Sequence, residues 1–481
     1  MLSKKLVEIL KTFDSQDWRD FSRYVQSPFF NRNDRLIAFV DLLRKSASNL
    51  DALTKQQIYT ILYPSSKDFE EQKVYDHVAF LMRLLEGFLA YQEFQEDTTF
   101  ESRFLLKSFV KRNLPDHFEK HFKRQKQKQT KSPFKNYHYH LSRFFIEREA
   151  NYLAIMMHQP EYVEITDRMV DHLDHFLIAS RLEYACNRLV YQKIWNFRAN
   201  DVFLEDILDF LQGPGTHFLN SPNIAAYFHI YNMLGEREDT EQHYRNLKTI
   251  LGEHQASFTQ EEKYTLYGYA QNYVTTQLNA GKSEYLEEIF RIFQEMLTND
   301  AFLFNGYLDA GMYKNIVTVG LRLRQYDWVQ RFLDEYRSFL HPSHQNPAYH
   351  YNVAAWHYAK QEYSKALREL LMTDLIDVYY HLNVRQMQLK IYFEQEEHEA
   401  LNSLIDAFSS YLKRNKQISD TKKEGFSNLV RFIRKAARLR QRSISLRQET
   451  FEAQKENLLN EIDTVPNLPI RSWLREHVEG F

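Results

Sequence analysis

Apolar positions near the start of the chain return at steps of three and four. Leu2, Leu6, Ile9 and Leu10 form one amphipathic stripe, and Trp18, Phe21 and Val25 form a second, with Asp14 or Ser15 placed to cap its helix. Ser27-Pro28 ends that helix, because proline disfavours helical geometry in the residue before it. The turn that follows carries Phe29 and Phe30, and both rings are expected to pin it to the core. Thr54 opens a helix over Lys55 to Leu62, ended by Pro64. In the next segment Tyr75, Val78, Met82, Leu85 and Leu89 alternate three- and four-residue steps, and Phe80, Leu81, Leu84 and Phe88 widen the stripe. That width predicts a central helix buried on most sides. Further helices are expected near 101–113, 115–130, 134–157 and 161–197.

Gly213-Pro214-Gly215 is the sharpest break in the pattern, and it is read as the end of an N-terminal helical domain, 1–212. Beyond it helices pair at regular intervals, near 222–252, 260–297, 305–340, 347–373 and 381–413, followed by helices near 418–440 and 444–462. Within this stretch Tyr351-Asn352-Val353-Ala354, Tyr358, Lys360-Gln361-Glu362-Tyr363 and Ala366-Leu367 resemble a unit of the tetratricopeptide-repeat (TPR) family. In that family a small residue on the first helix, here Ala354, faces a small residue on the second, here Ala366. Tyr358, Gln361, Glu362, Ala366 and Leu367 recur 34 residues later as Tyr392, Gln395, Glu396, Ala400 and Leu401. Upstream, Trp328 and Phe332 precede Tyr363 and Leu367 by 35, with Arg331 at the small-residue position.

The resemblance, clear over about 347–407, implies an all-α fold. An N-terminal helical domain is followed by a TPR-like α-α hairpin solenoid over 216–413, capped by basic C-terminal helices over 414–481. It also implies that the first helix of each hairpin lines a concave wall for a peptide or protein segment. Carried over, that wall comprises Tyr351, Asn352, Ala355 and Tyr358 in one unit and Arg385, Leu389 and Tyr392 in the next. The alternative is that these tyrosines pack between repeats with only their hydroxyls wet.

Composition agrees with helices. Twelve glycines and eleven prolines in 481 residues lie far below average usage, too few for the turns of a sheet-rich chain of this length. Single Cys186 excludes an internal disulfide, and no apolar run is long enough for a membrane span. The Met-Leu-Ser-Lys-Lys start lacks an unbroken apolar core, so a cytoplasmic protein is expected.

Sequence motifs of chemistry are largely missing. Ala280-Gly281-Lys282-Ser283 resembles the end of a phosphate loop, but Thr276 stands where the upstream glycine belongs and no strand precedes it. Asp171 and His175 share a helix face within Asp167–His175, but two ligands are read as a solvated acidic face. His117 and His121 have the same spacing amid lysines, and Cys186 reads as a core thiol. No metal, cofactor or catalytic residue is therefore expected.

Charge adds the last feature. The whole chain carries a net charge of −2, but residues 413–447 hold twelve Lys or Arg against Asp420 and Glu424. Phe426, Val430, Ile433 and Ala437 make one helix face there, and Arg431, Arg434, Lys435, Arg438 and Arg442 a basic stripe beside it. Such a stripe either binds phosphates or an acidic partner, or is a solvated end-cap. The expected function is a non-enzymatic scaffold binding a protein segment. The alternative is a nucleic-acid-associated or regulatory protein using the basic helix, and an enzyme built from distant helices is a third reading.

Overall fold

The computed structural model describes residues 3–66, 68–96, 98–195, 201–235, 239–373 and 378–481. Apart from one short hairpin, the regular structure of the described residues is helical, and no helix among them is long and apolar enough to cross a membrane. Contacts divide the chain into two units, Met1–Ser180 and Arg181–Phe481. The division falls inside the helix Tyr162–Trp195.

In the first unit the helix Ser15–Gln26 starts where its sequence says. The Asp14 carboxylate accepts from the N–H groups of Gln16 and Asp17, and Asp17 accepts from the Asp14 N–H in return. The helices Lys4–Leu10, Ser15–Gln26, Asp34–Lys45, Lys55–Leu62 and Glu71–Glu96 share one core around Phe21, Phe39, Ile58, Leu81 and Leu85. The long helix is less buried than its pattern suggests. Its buried stripe is Val74, His77, Leu81, Leu85 and Phe88, while Tyr75 and Phe80 are exposed. Its apolar surface is wider than the helices packed against it can cover. Only one of the two turn phenylalanines is held: Phe30 stacks on Tyr24 at 4.1 Å, whereas Phe29 is 88 % exposed. A second core, with Leu106, Phe118, Ile146 and Leu153, joins the helices Thr98–Lys111, Pro115–Thr130 and Tyr137–Met156.

The Gly213-Pro214-Gly215 break lies within the second unit, as a tight turn after the helix Val202–Gln212. The Phe210 ring rests on Gly215, where a Cβ would sit 2.2 Å from it, so only glycine fits. Helices then follow in pairs: Pro222–Leu234 with Thr240–Glu253, Gln260–Asn279 with Tyr285–Thr298, and Ala310–Arg322 with Tyr326–Tyr336. Pro342–Ala359 pairs with Tyr363–Met372, and Val378–Glu394 with His398–Arg414. In three of the four steps the first helix also meets the first helix of the next pair: Pro222–Leu234 meets Gln260–Asn279, Ala310–Arg322 meets Pro342–Ala359, and Pro342–Ala359 meets Val378–Glu394.

Four of these pairs turn through one device. At Gly281, Arg324, Gln361 and Glu396 the backbone is left-handed, with φ of 91°, 57°, 60° and 58°. The next N–H then returns to the carbonyl five residues back: Lys282 to Gln277, Gln325 to Gly320, Glu362 to His357 and Glu397 to Tyr392, at 2.9–3.2 Å. This helix-ending bond satisfies carbonyls that the helix leaves unpaired. The residue equivalent to Gln361 is thus Glu396, 35 residues on, whereas the sequence match aligns Gln361 with Gln395. Tyr358 and Tyr392 therefore stand at different distances from their turns and point from different faces of their helices.

Ala354 and Ala366 are both fully buried, in one cluster with Leu370, Val384, Met387 and Ile391. Asn305-Gly306 closes a small antiparallel hairpin, Leu303–Phe304 against Tyr307–Leu308, where the pattern of 305–340 suggests only helix. Both turn residues have positive φ, as a two-residue hairpin loop requires. The C-terminal helices Asp420–Arg442 and Gln448–Thr464 share a core with His398–Arg414 and with a final helix, Arg471–Glu479, that the sequence pattern did not reveal.

Candidate functional site

The residues of the expected tyrosine wall are largely taken up in packing. Tyr351, Asn352 and Leu389 are buried, so their side chains do not face solvent. The Asn352 side-chain N–H2 donates to the Ala348 carbonyl at 2.8 Å, which holds it along its own helix. Arg385 is half-buried and donates to the Gln388 side-chain oxygen at 3.0 Å. Ala355, Tyr358 and Tyr392 are half-buried.

Tyr358 leads to a group absent from the sequence reading. Its hydroxyl donates to the Glu394 carboxylate, as do the Tyr363 hydroxyl (2.7 Å) and the Trp473 indole N–H (2.7 Å), and His477 Nε2 lies 3.3 Å away. Burial alone would raise the Glu394 carboxyl, but hydrogen bonds from His477, Tyr358, Tyr363 and Trp473 outweigh it and hold the group at about 2. Burial pulls His477 down, and its bonds to Glu394 and to the Trp473 carbonyl more than restore it, leaving it raised. Lys390, under the Tyr358 and Trp473 rings, is pushed down to about 8 by burial. The cluster fastens the helix Arg471–Glu479 to the helix Val378–Glu394. In sequence, Glu394 sits in the acid-rich run Glu394-Gln395-Glu396-Glu397 and reads as surface.

The basic stripe separates into two kinds of cation. Arg434 pairs with Asp406, Lys435 with Glu461, and Arg440 with Glu396 at 2.5 Å. Arg431 lies over the Phe432 ring. Arg438 and Arg442 are exposed and, among the described residues, have no carboxylate within ion-pair distance. They stand one helical turn apart on the wall of a groove of about 290 Å³ between the helices Asp420–Arg442 and Gln448–Thr464. Gln454 and Asn457 present amides from the opposite wall, with Leu439 and Leu458 between. The arrangement suits a negatively charged extended group: two guanidiniums for its charge, two amides for its hydrogen bonds and a small apolar surface.

The histidines of Asp167–His175 meet a partner the sequence did not indicate. His140 Nδ1 lies 3.1 Å from His172 Nδ1, and the His140 ring stacks on His175 at 4.5 Å. Burial holds His140 at about 3 and His172 at about 4, so both are neutral near pH 7. Among the described residues no group of three or more His, Cys, Asp or Glu side chains is placed to hold a metal ion. Cys186 is fully buried and its thiol donates to the Tyr227 carbonyl at 3.4 Å; burial raises it well above the usual thiol range. Ala280-Gly281-Lys282-Ser283 is the helix-ending turn described above, with the Lys282 ammonium on the Gln277 side chain.

Compared with protein-family models, curated proteins and solved structures, the chain finds no match in any of the three.

Proposed function

We propose that the protein is a non-enzymatic interaction protein that engages an acidic segment of a protein partner in the Arg438–Arg442 groove. The observation that carries this reading is the pair of exposed guanidiniums with no acidic partner among the described residues, one turn apart, facing two amides across a groove. The paired helices of the second unit serve as the rigid support, in the manner of a TPR-like array. Buried Ala354 and Ala366, the recurring turns and the contacts between successive first helices support that likeness.

A short acidic peptide fits better than a nucleic acid for a physical reason. The far wall belongs to a helix carrying Glu449, Glu452, Glu456, Glu461 and Asp463 against Lys455 alone. That field repels a long polyanion lying across the groove, whereas a peptide carboxylate reaches the arginines locally. Among the described residues no exposed aromatic lines the groove to stack a base.

The test is fluorescence anisotropy with a labelled Glu/Asp-rich peptide, duplex DNA and single-stranded RNA, each at matched ionic strength. The peptide is expected to bind the full chain more tightly than either nucleic acid, and Arg438→Ala to weaken it by about tenfold. Tighter binding of DNA or RNA, or an unchanged peptide affinity in Arg438→Ala, contradicts the reading.

A further inference from the structure

The Asn305-Gly306 hairpin has a neighbour that packing alone does not explain. Between it and the helices Ala310–Arg322, Pro342–Ala359 and Val378–Glu394 lies a pocket of about 460 Å³. That volume is within the usual range for small-molecule sites. Lys314 lines it and is half-buried. Its ammonium donates to the Asn383 side-chain oxygen at 3.2 Å and lies 5.5 Å from the Tyr351 ring centroid. Among the described residues no carboxylate stands within ion-pair distance of it. Burial, and the field of Lys422, push its pKa down, as expected for a cation short of counter-charge.

The other walls are aromatic. Phe304 and Tyr307 are exposed on the hairpin, Tyr307 meets the His341 ring edge-on at 4.8 Å, and Tyr380 closes another side. The Asp309 carboxylate also lines the pocket, but it accepts from the Met312 N–H at 2.9 Å and so caps the helix. The hollow beside Tyr244, about 520 Å³, is different: Arg245 pairs with Glu241, Lys248 with Glu295 and Arg291 with Glu288. Three of its four cations are already paired, and the fourth, Lys282, donates to the Gln277 side chain.

We propose that the Lys314 pocket is a binding site for a small aryl carboxylate, with the carboxylate on Lys314 Nζ and the Asn383 amide and the ring against Phe304, Tyr307 and Tyr380. A single ammonium next to the Asp309 carboxylate favours one negative charge over two, so a carboxylate suits it better than a phosphate monoester. The carboxylate supplies the counter-ion that Lys314 lacks among the described residues, and the ring covers apolar surface that the hairpin exposes.

The test is calorimetric titration of the full chain with benzoate, benzamide and phenyl phosphate, alongside NMR of the reductively ¹³C-methylated lysines. Saturable one-to-one benzoate binding is expected, at least about tenfold tighter than benzamide. Lys314→Met should weaken benzoate by a similar factor while leaving benzamide unchanged, and benzoate should raise the pKa of the Lys314 signal. Tyr307→Ala, on the exposed hairpin, is a second variant that leaves the core intact and should also weaken benzoate. No saturable benzoate binding, equal affinity for benzamide, or a Lys314 signal that benzoate leaves unmoved overturns the proposal. Tighter binding of phenyl phosphate overturns the assignment to a monoanion.

Discussion

Gln361 and Arg324 hold left-handed backbone with bulky side chains, a conformation that costs non-glycine residues roughly 1 kcal/mol. Both are exposed, so the side chain itself contributes little to packing. Gln361→Gly is therefore expected to stabilise the chain by about 0.5–1 kcal/mol, seen as a higher midpoint in urea unfolding. A lowered midpoint would show that this turn is not the helix-ending one described. The opposite holds at Glu394, where one carboxylate collects Tyr358, Tyr363, Trp473 and His477. Glu394→Gln keeps the shape but removes the charge, and leaves buried donors competing for a weaker acceptor. A loss of about 2–3 kcal/mol is expected from urea titration, against a few tenths for the exposed neighbour Glu397→Gln. Equal effects at the two positions would contradict the role given to Glu394. Single residues were legible when their role was local, as with Asp14 at its cap and Cys186 in the core. Glu394 was not, because its donors come from distant positions, Trp473 being 79 residues away and His477 farther still.

At the scale of elements, the three- and four-residue spacing located most helices to within a few residues. The helices Asp34–Lys45, Val202–Gln212 and Arg471–Glu479 and the small hairpin escaped it. The helix Arg471–Glu479 is short and mostly polar, and only Leu474 and Val478 are buried. The hairpin has two residues per strand, too short for an alternating pattern, although Asn305-Gly306 is itself a strong turn signal. The face of the long helix Glu71–Glu96 was also misjudged, since a stripe wide enough to be buried says nothing of how many neighbours arrive to bury it. The final helix depends on pH through His477. Its pKa is raised in the folded chain, so its charged contact with Glu394 stabilises the fold below about 6.5 and is lost as pH climbs through the folded value. Lys390 acts later and in the opposite sense: its folded pKa, about 8, lies below its ordinary value, so stability returns as pH rises from there. Hydrogen-exchange protection of Arg471–Glu479, corrected for intrinsic rates, should fall in the wild type as pH rises from about 6.5 through the folded value of His477. It should stay level in His477→Gln. A wild-type profile as flat as that variant's would remove His477 from the latch.

For the whole molecule, composition and the scarcity of glycine pointed to an all-helical chain, as the regular structure of the described residues is apart from one short hairpin. The paired helices of the second unit follow the order the sequence rhythm suggests. The conserved geometry between pairs lies in the turns, whose steps of 43, 37 and 35 residues hide it from a search at one fixed period. The expected working surfaces fared unequally in the structure. Of the tyrosines attractive in the sequence, Tyr351 is buried and Tyr358 and Tyr392 are half-buried, because the same apolar bulk that suits a partner suits the neighbouring helix. The basic stripe was legible as charge, but which cations remain available depended on Asp406 and Glu461 from other helices and on Glu396 from a turn. The most direct measurement of the central claim is a charge exchange in the full chain. Arg438→Glu with Arg442→Glu, checked for unchanged helicity, should lose the Glu/Asp-rich peptide and bind a Lys-rich peptide of the same length in its place. Retention of the acidic peptide by that variant would contradict the assignment of the groove.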